Sequence, residues 1–433
     1  MIKLYKTNIF CFLLILLLMQ GCSSSTANNE EKKDAEKTTK IPLYKVIPPK
    51  PISNKELLSL HNQCKTFYDT ILNPSGFNGG IIVAKGGNII FEKYKGFVNL
   101  DSVNPITAST PLHIASVSKT FTAMAILKLQ EQGKLHIDDT LSKYFTNFNY
   151  PTVTIKDLLT HRSGLPNYLH FLKEIAWPDT AILRNSDILE QLILKKPNLT
   201  TITTPNTKFA YNNTNYALLA LLIEKISGKT YPVFMKENVF EPLSMLNTFV
   251  RSNMDTNSLS KSFDWKGRLI HNTNLDEVYG DKNIYSTAQD LLKWDRALAN
   301  HIFLTAITLE TAYTPYSNEK PGIKNYGLGW RMNIYGESKK IIFHNGWWHG
   351  NNAAFIRLQN EDATIIVLSN RFARSVYTSK ILVNIFGNYF DVEAEDTENI
   401  VPSTIPEIFP AEKRGKKSKI MDTDFSDRNK KEE

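Results

Sequence analysis

Two sets of strand signals, one near each end of the chain, are separated by a long and mostly helical middle. That order predicts an α+β fold of two lobes (α/β two-lobed), with an antiparallel β-sheet flanked by helices and an inserted, mostly helical lobe. The first set lies at residues 80–84 and 88–94, around the adjacent Gly86 and Gly87 that a tight hairpin turn favours. The second lies at residues 330–335, 340–344, 353–358 and 363–368, with turns at Gly336 and at residues 360–362. The simplest arrangement joins both sets into one sheet, and a cleft is then expected between the sheet and the helical insertion.

Taken in order, the elements begin with Lys3 and Lys6 ahead of an apolar run at residues 9–19, too short to span a bilayer as a helix. The run ends in Met19, Gln20, Gly21 and Cys22. This junction resembles the lipobox of bacterial lipoproteins, although Met19 stands where leucine is usual. The resemblance implies a signal peptide over residues 1–21 and lipidation of Cys22. It also implies a place at the cell envelope, lipid-anchored and facing the periplasm or the cell exterior. An ordinary signal peptide with an incidental cysteine is the alternative. Residues 22–52, polar and then proline-rich, read as a flexible tether.

The folded domain is expected over residues 53–392. Ser53 can cap a helix with Glu56 as its capping-box partner, and Leu57, Leu60, Cys64, Phe67 and Ile71 are spaced for one helix face. With Cys11 in the removed segment and Cys22 acylated, Cys64 is left alone, so no intramolecular disulfide is possible. It reads as a small buried hydrophobe. Helices dominate from Pro111 to about Asn300, including the apolar segment 116–132 that Gly133 would end, and a last helix is expected over residues 375–389. Residues 393–433 form a charged tail with the composition of disorder.

The chain of 433 residues is 42% hydrophobic, as globular proteins are, and its formal net charge is +8. Both signs are spread along it, and no basic cluster interleaved with aromatics offers a track for nucleic acid.

Ser116 and Lys119 form an SxxK motif at the start of the apolar segment, where residues three apart share a helix face. A desolvated lysine can accept the serine proton, and a helix N-terminus supplies donors for developing negative charge. The same spacing recurs at Ser258 with Lys261 and at Ser317 with Lys320, but in polar, turn-like surroundings. Tyr211 and Asn213 form a YxN pattern ahead of a helix at residues 216–226. By itself this reads as a capping loop as readily as a proton shuttle with an amide-binding asparagine. His344, Asn345 and Gly346 close a strand signal and precede Trp347 and Trp348. There is no GxSxG elbow, HExxH or paired CxxC, so no metal or other cofactor is implied. His349, close to His344, makes a weak metal site without acidic or cysteine company.

Together and in this order, the three motifs resemble the SxxK serine hydrolases related to β-lactamases: class C β-lactamases, DD-carboxypeptidases, D-aminopeptidases and esterases. The segments LLTHRSGLP (158–166), FAYNNTNYALLALLIEKISG (209–228), EPLSML (241–246) and YSTAQDL (285–291) carry the likeness further. It implies a β-lactamase/transpeptidase-like fold, Ser116 as a nucleophile that forms an acyl-enzyme, and Lys119 and Tyr211 sharing the general-base work. It also implies Asn213, His344, Asn345, Gly346 and Trp347 as substrate-binding residues, with the backbone N–H groups of Ser116 and Trp347 as the oxyanion hole. In β-lactamases the position of His344 is usually lysine, so a carboxylate partner is missing. Arg374 is a candidate to restore it. The reaction expected is cleavage of an amide or ester in a peptide or small molecule, as a D-peptidase or carboxypeptidase or as an esterase. β-Lactamase activity proper is a third reading, and a non-catalytic binding lipoprotein of the same fold is the rival from another class.

Overall fold

The computed structural model describes residues 43–45, 47–100, 103–195, 203–251, 259–336 and 339–390. The expected signal peptide, Cys22, Ser258 and the charged tail lie outside them.

Helix α1 (Asn54–Phe67) starts where expected, with the Ser53 hydroxyl accepting the Glu56 N–H. The Glu56 carboxylate does not complete a capping box; it bonds Lys85 instead. Strands β1 (Gly79–Lys85) and β2 (Asn88–Lys95) form the hairpin, and both turn glycines sit at positive φ, +57° and +87°, the geometry of a two-residue turn that suits strand twist. The short β3 (Leu112–His113) leads through one tight helical turn, Ala115–Val117, into α2 (Ser118–Glu131).

The helical lobe comprises α3 (Ile155–Leu159), α4 (Tyr168–Glu174), α5 (Asn185–Lys195), α6 (Asn213–Ser227) and α7 (Tyr231–Met235). Short strands follow: β4 (Phe249–Val250), β5 (Ser262–Phe263), β6 (Leu269–Ile270) and β7 (Ile284–Ser286). Helices α8 (Ala288–Ala299) and α9 (Ala306–Ala312) then lead back to β8 (Lys324–Tyr326), β9 (Arg331–Tyr335), β10 (Lys339–Trp348), β11 (Asn351–Leu358) and β12 (Ala363–Ser369).

The two sets of strands join as predicted. The sheet has seven strands in the order β2-β1-β12-β11-β10-β9-β8, and Gly79 to Lys85 pair antiparallel with Ser369 to Ala363. Both faces are covered, so β1 and β12 are buried almost throughout, with apolar centres whose alternate residues serve different cores. Ile82, Ile366 and Leu368 belong to the core shared with α2, α6 and α8. Ile81, Ile365 and Val367 belong to the core under α1. In that second core Cys64 is fully buried, and burial pushes its thiol up to about 12, which leaves it inert near neutrality.

Three features differ from expectation. A small sheet, β3-β7-β4, has strands of two or three residues, too short for alternation to show. The final helix is one α turn, α10 (Ser375–Thr378), followed by a tighter helical stretch, Ser379–Ile385. There the Asn384 side chain accepts the Tyr389 N–H at 3.0 Å and donates to the Phe390 carbonyl at 2.8 Å, drawing the chain out of the helix. The end of the segment read as a tether lies on the domain: Lys50 N–H donates to the Gly86 carbonyl at 2.8 Å, and its ammonium meets Asp362 at 2.7 Å.

Candidate active site

Ser116 lies in the tight turn before α2, half-buried, and Lys119 lies one turn on, fully buried. The Lys119 Nζ is 3.1 Å from Ser116 Oγ and donates to the Asp281 carbonyl at 2.8 Å. Ala115, fully buried, adopts φ +47°, a strained conformation for a residue with a Cβ. Its N–H is held by His113 Nδ1 at 3.1 Å. The neighbouring Ile114 N–H and Ser118 hydroxyl bond the two sides of Ile284, at 3.0 and 3.2 Å. The turn is therefore fixed from β7, far away in sequence.

Tyr211 precedes α6, whose cap is Asn212: its side chain accepts the Thr214 N–H at 2.9 Å and donates to the Leu165 carbonyl at 2.5 Å. The capping reading of this segment therefore holds, and the cap is what presents Tyr211. The Tyr211 ring centroid is 5.0 Å from Lys119 Nζ and 4.9 Å from the Arg331 guanidinium. Half-buried Asn213 starts the helix, its Oδ1 shielded and without a hydrogen-bond partner. His161, from the LLTHRSGLP segment, packs its ring 4.4 Å from that of Tyr211 and accepts the Asn212 N–H on Nδ1 at 3.1 Å. Complete burial, with the Lys119 charge nearby, pushes its pKa well below the usual histidine value.

His344 is not at a strand end. Pairing with β11 carries β10 on through Trp348, opposite Asn351. His344 is fully buried, with Nδ1 donating to the Asn345 carbonyl at 2.8 Å and Nε2 accepting from the Tyr326 hydroxyl at 3.2 Å. Burial first, then the charges of Arg331 and Lys119, hold it far below its ordinary pKa, so it is neutral. Pairing with β9 stops at Phe343 opposite Arg331, and beyond that point the strand turns its free edge to the nucleophile turn. Gly346 makes this approach possible: a Cβ there would lie 2.3 Å from the Ile114 carbonyl oxygen and 3.2 Å from Ser116 N. The two tryptophans divide. Trp347 is 55% exposed beside the turn, whereas the Trp348 Nε1 donates to Asp276 at 2.5 Å and its ring packs on Lys282.

The structure thus gathers Ser116, Lys119, Tyr211, Asn213 and the segment from His344 to Trp347 in one place. Arg374 is exposed at the start of α10; the cation beside Tyr211 is Arg331, which the sequence reading missed. Its signal was there, as the one charged residue in the strand signal at 330–335. His161 lies in the LLTHRSGLP segment, where the sequence alone gives it no role. Ser317 and Lys320 lie in an irregular turn and make no helical pair. Among the described residues no group of three or more His, Cys, Asp and Glu is placed to hold a metal ion.

Residues 75–384 match the beta-lactamase family. The chain belongs to this family of serine hydrolases. It is 31% identical over 348 residues to penicillin-binding protein 4* of Bacillus subtilis (strain 168), a match covering 76% of each protein. Protein flp of Staphylococcus aureus (strain NCTC 8325 / PS 47) is 26% identical over 344 residues, 75% of this chain and 66% of that one. Among solved structures, a penicillin binding protein from Bacillus halodurans aligns with a TM-score of 0.63 at 27% identity, over 75% of this chain and 98% of its own. D-amino acid amidase from Ochrobactrum anthropi SV3 aligns at 0.62 with 20% identity, over 76% and 97%, a likeness of fold. The fold that the family implies, an antiparallel sheet with helices on both faces, is the one described above.

Proposed function

We propose that the chain is a cell-envelope peptidase that cleaves an amide bond close to a free carboxylate, through an acyl-enzyme on Ser116. Lys119 and Tyr211 relay the Ser116 proton to the departing amine, and the Ser116 and Trp347 N–H groups hold the carbonyl oxygen as it becomes negative. A water molecule then returns a proton by the same route and frees the acid. Asn213, with its unpartnered Oδ1, binds the amide of the acyl part, and His344, Asn345 and Gly346 present the strand edge to the substrate backbone.

The observation that carries this reading over an esterase is Arg331. Its guanidinium lies against Tyr211, next to a neutral His344, and has no hydrogen bond or ion pair to another described residue. A fixed cation without an anion is what a substrate carboxylate requires. The relatives called penicillin-binding proteins support the same direction. Exposed Trp347 favours the second reading, an esterase with an aromatic acyl wall, and β-lactam hydrolysis comes third.

Intact-mass measurement after incubation with a fluorophosphonate, and separately with a penicillin, tests the proposal. An adduct on the wild-type chain, absent from Ser116→Ala, is expected with both, and the penicillin adduct is expected to be long-lived. No adduct with either probe would favour a binding lipoprotein that has lost turnover. The proposal includes the lipid anchor at Cys22. Cell fractionation should find the full chain with membranes and Cys22→Ser in the soluble fraction; the same distribution for both would remove the anchor.

A further inference from the structure

The two donors assigned to the oxyanion hole come from segments more than two hundred residues apart, the turn at Ser116 and the strand end at Trp347. One short stretch, residues 276–284, touches both. On one side Asn283 Oδ1 accepts from His113 Nε2 at 3.1 Å, and His113 Nδ1 holds the N–H of strained Ala115. Since Nδ1 accepts a backbone donor, the ring proton sits on Nε2, which fixes the tautomer and the orientation of the asparagine amide. The Asn283 Nδ2 then donates to the Asp276 carbonyl at 2.6 Å and the Val278 carbonyl at 2.8 Å.

On the other side the Asp276 carboxylate accepts from Trp348 Nε1 at 2.5 Å and from His349 Nε2 at 3.0 and 3.1 Å. Trp348 and His349 directly follow Trp347. Asp276, Asn283 and His113 are each at most 3% exposed. Although burial opposes its charge, these bonds and the His349 charge hold the Asp276 carboxyl down at about 2. Burial keeps His113 neutral, at about 4. Asp281, between the two, accepts Lys119 Nζ on its carbonyl.

We propose that Asp276 and Asn283 are positioning residues that fix the distance between the nucleophile turn and the oxyanion strand, through His113 on one side and Trp348 and His349 on the other. This rests on the functional reading above. A carbonyl oxygen gains most from two donors when both are set before the charge develops, so the loss of this brace should be felt in the transition state and little in substrate binding.

The test compares wild type with Asn283→Asp and Asp276→Asn on a chromogenic thioester, alongside inhibition by phenylboronic acid. Ser116 Oγ adds to boron as its proton passes to the Lys119 and Tyr211 pair, leaving a tetrahedral boronate anion with one of its hydroxyls in the hole. Both variants should lose about 100-fold in kcat, with KM within about 3-fold, and boronate affinity should fall by the same factor as kcat. Trp348→Phe, which removes one donor and keeps the ring, should show the same parallel at about 10-fold and serves if the first two do not fold. Variants with wild-type kcat, or a fall in kcat with unchanged boronate affinity, would overturn the brace and leave the functional reading standing. A wild-type chain that acylates with no probe would overturn the functional reading itself.

Discussion

The two ends of this site are built on opposite plans. At the reacting end Ser116 and Lys119 stand one helical turn apart, and the ammonium is fully buried with both of its partners in place. At the other end, among the described residues, the β10 edge beyond Phe343 has no β9 partner and Arg331 has no anion, while Trp347 is half out in solvent. At the first end the lysine is shielded and the geometry is over-determined, which is what proton transfer and charge stabilisation need. The second is open, and on the proposed reading a substrate completes it. The Ser116–Lys119 spacing is set by local structure, whereas the contacts that hold this turn and the groups at the other end are brought near only by the fold.

The place where the two ends meet should be the most sensitive. Gly346→Ala would put a methyl 2.3 Å from the Ile114 carbonyl oxygen, a backbone atom that cannot swing aside. The strand must then retreat from Ser116. A displacement of about 1 Å at a reacting centre costs on the order of 100-fold, so acylation by a fluorophosphonate should slow by about that factor while the melting temperature changes little. An alanine variant that acylates at the wild-type rate would show that the strand and the turn are not held against each other.

The same division governs what could be read from the sequence. The SxxK pair was legible because residues three apart on a helix share a face whatever the rest of the chain does, and the sheet because both hairpins carry their own turn residues between short apolar runs. That the two sets join followed from taking the simplest arrangement; that the junction is β1 with β12 is visible only in the fold. What escaped was non-local. The small sheet β3-β7-β4 consists of strands too short to alternate. Asp276 and Asn283 look like ordinary loop residues until His113 and Trp348 arrive beside them. Sequence position points to Arg374, just after the last strand, as the cation near His344, while pairing opposite Phe343 delivers Arg331 instead.

Arg331 therefore gives the smaller but more discriminating prediction. Arg331→Met keeps much of the length and apolar stem and removes the charge. A hydrogen-bonded charge pair contributes about 1.5–3 kcal/mol, so kcat/KM for a peptide with a free terminal carboxylate should fall by roughly 10- to 100-fold, mostly through KM. For a neutral acyl ester, which has nothing to offer the guanidinium, the change should stay within about 2-fold. Paired assays on the two substrates read this directly. An equal loss on both would mean that Arg331 acts through the Tyr211 ring it stacks on, and so belongs to the reacting end. No loss on either would leave exposed Trp347 as the feature that selects substrate, and would move the balance from peptides toward esters.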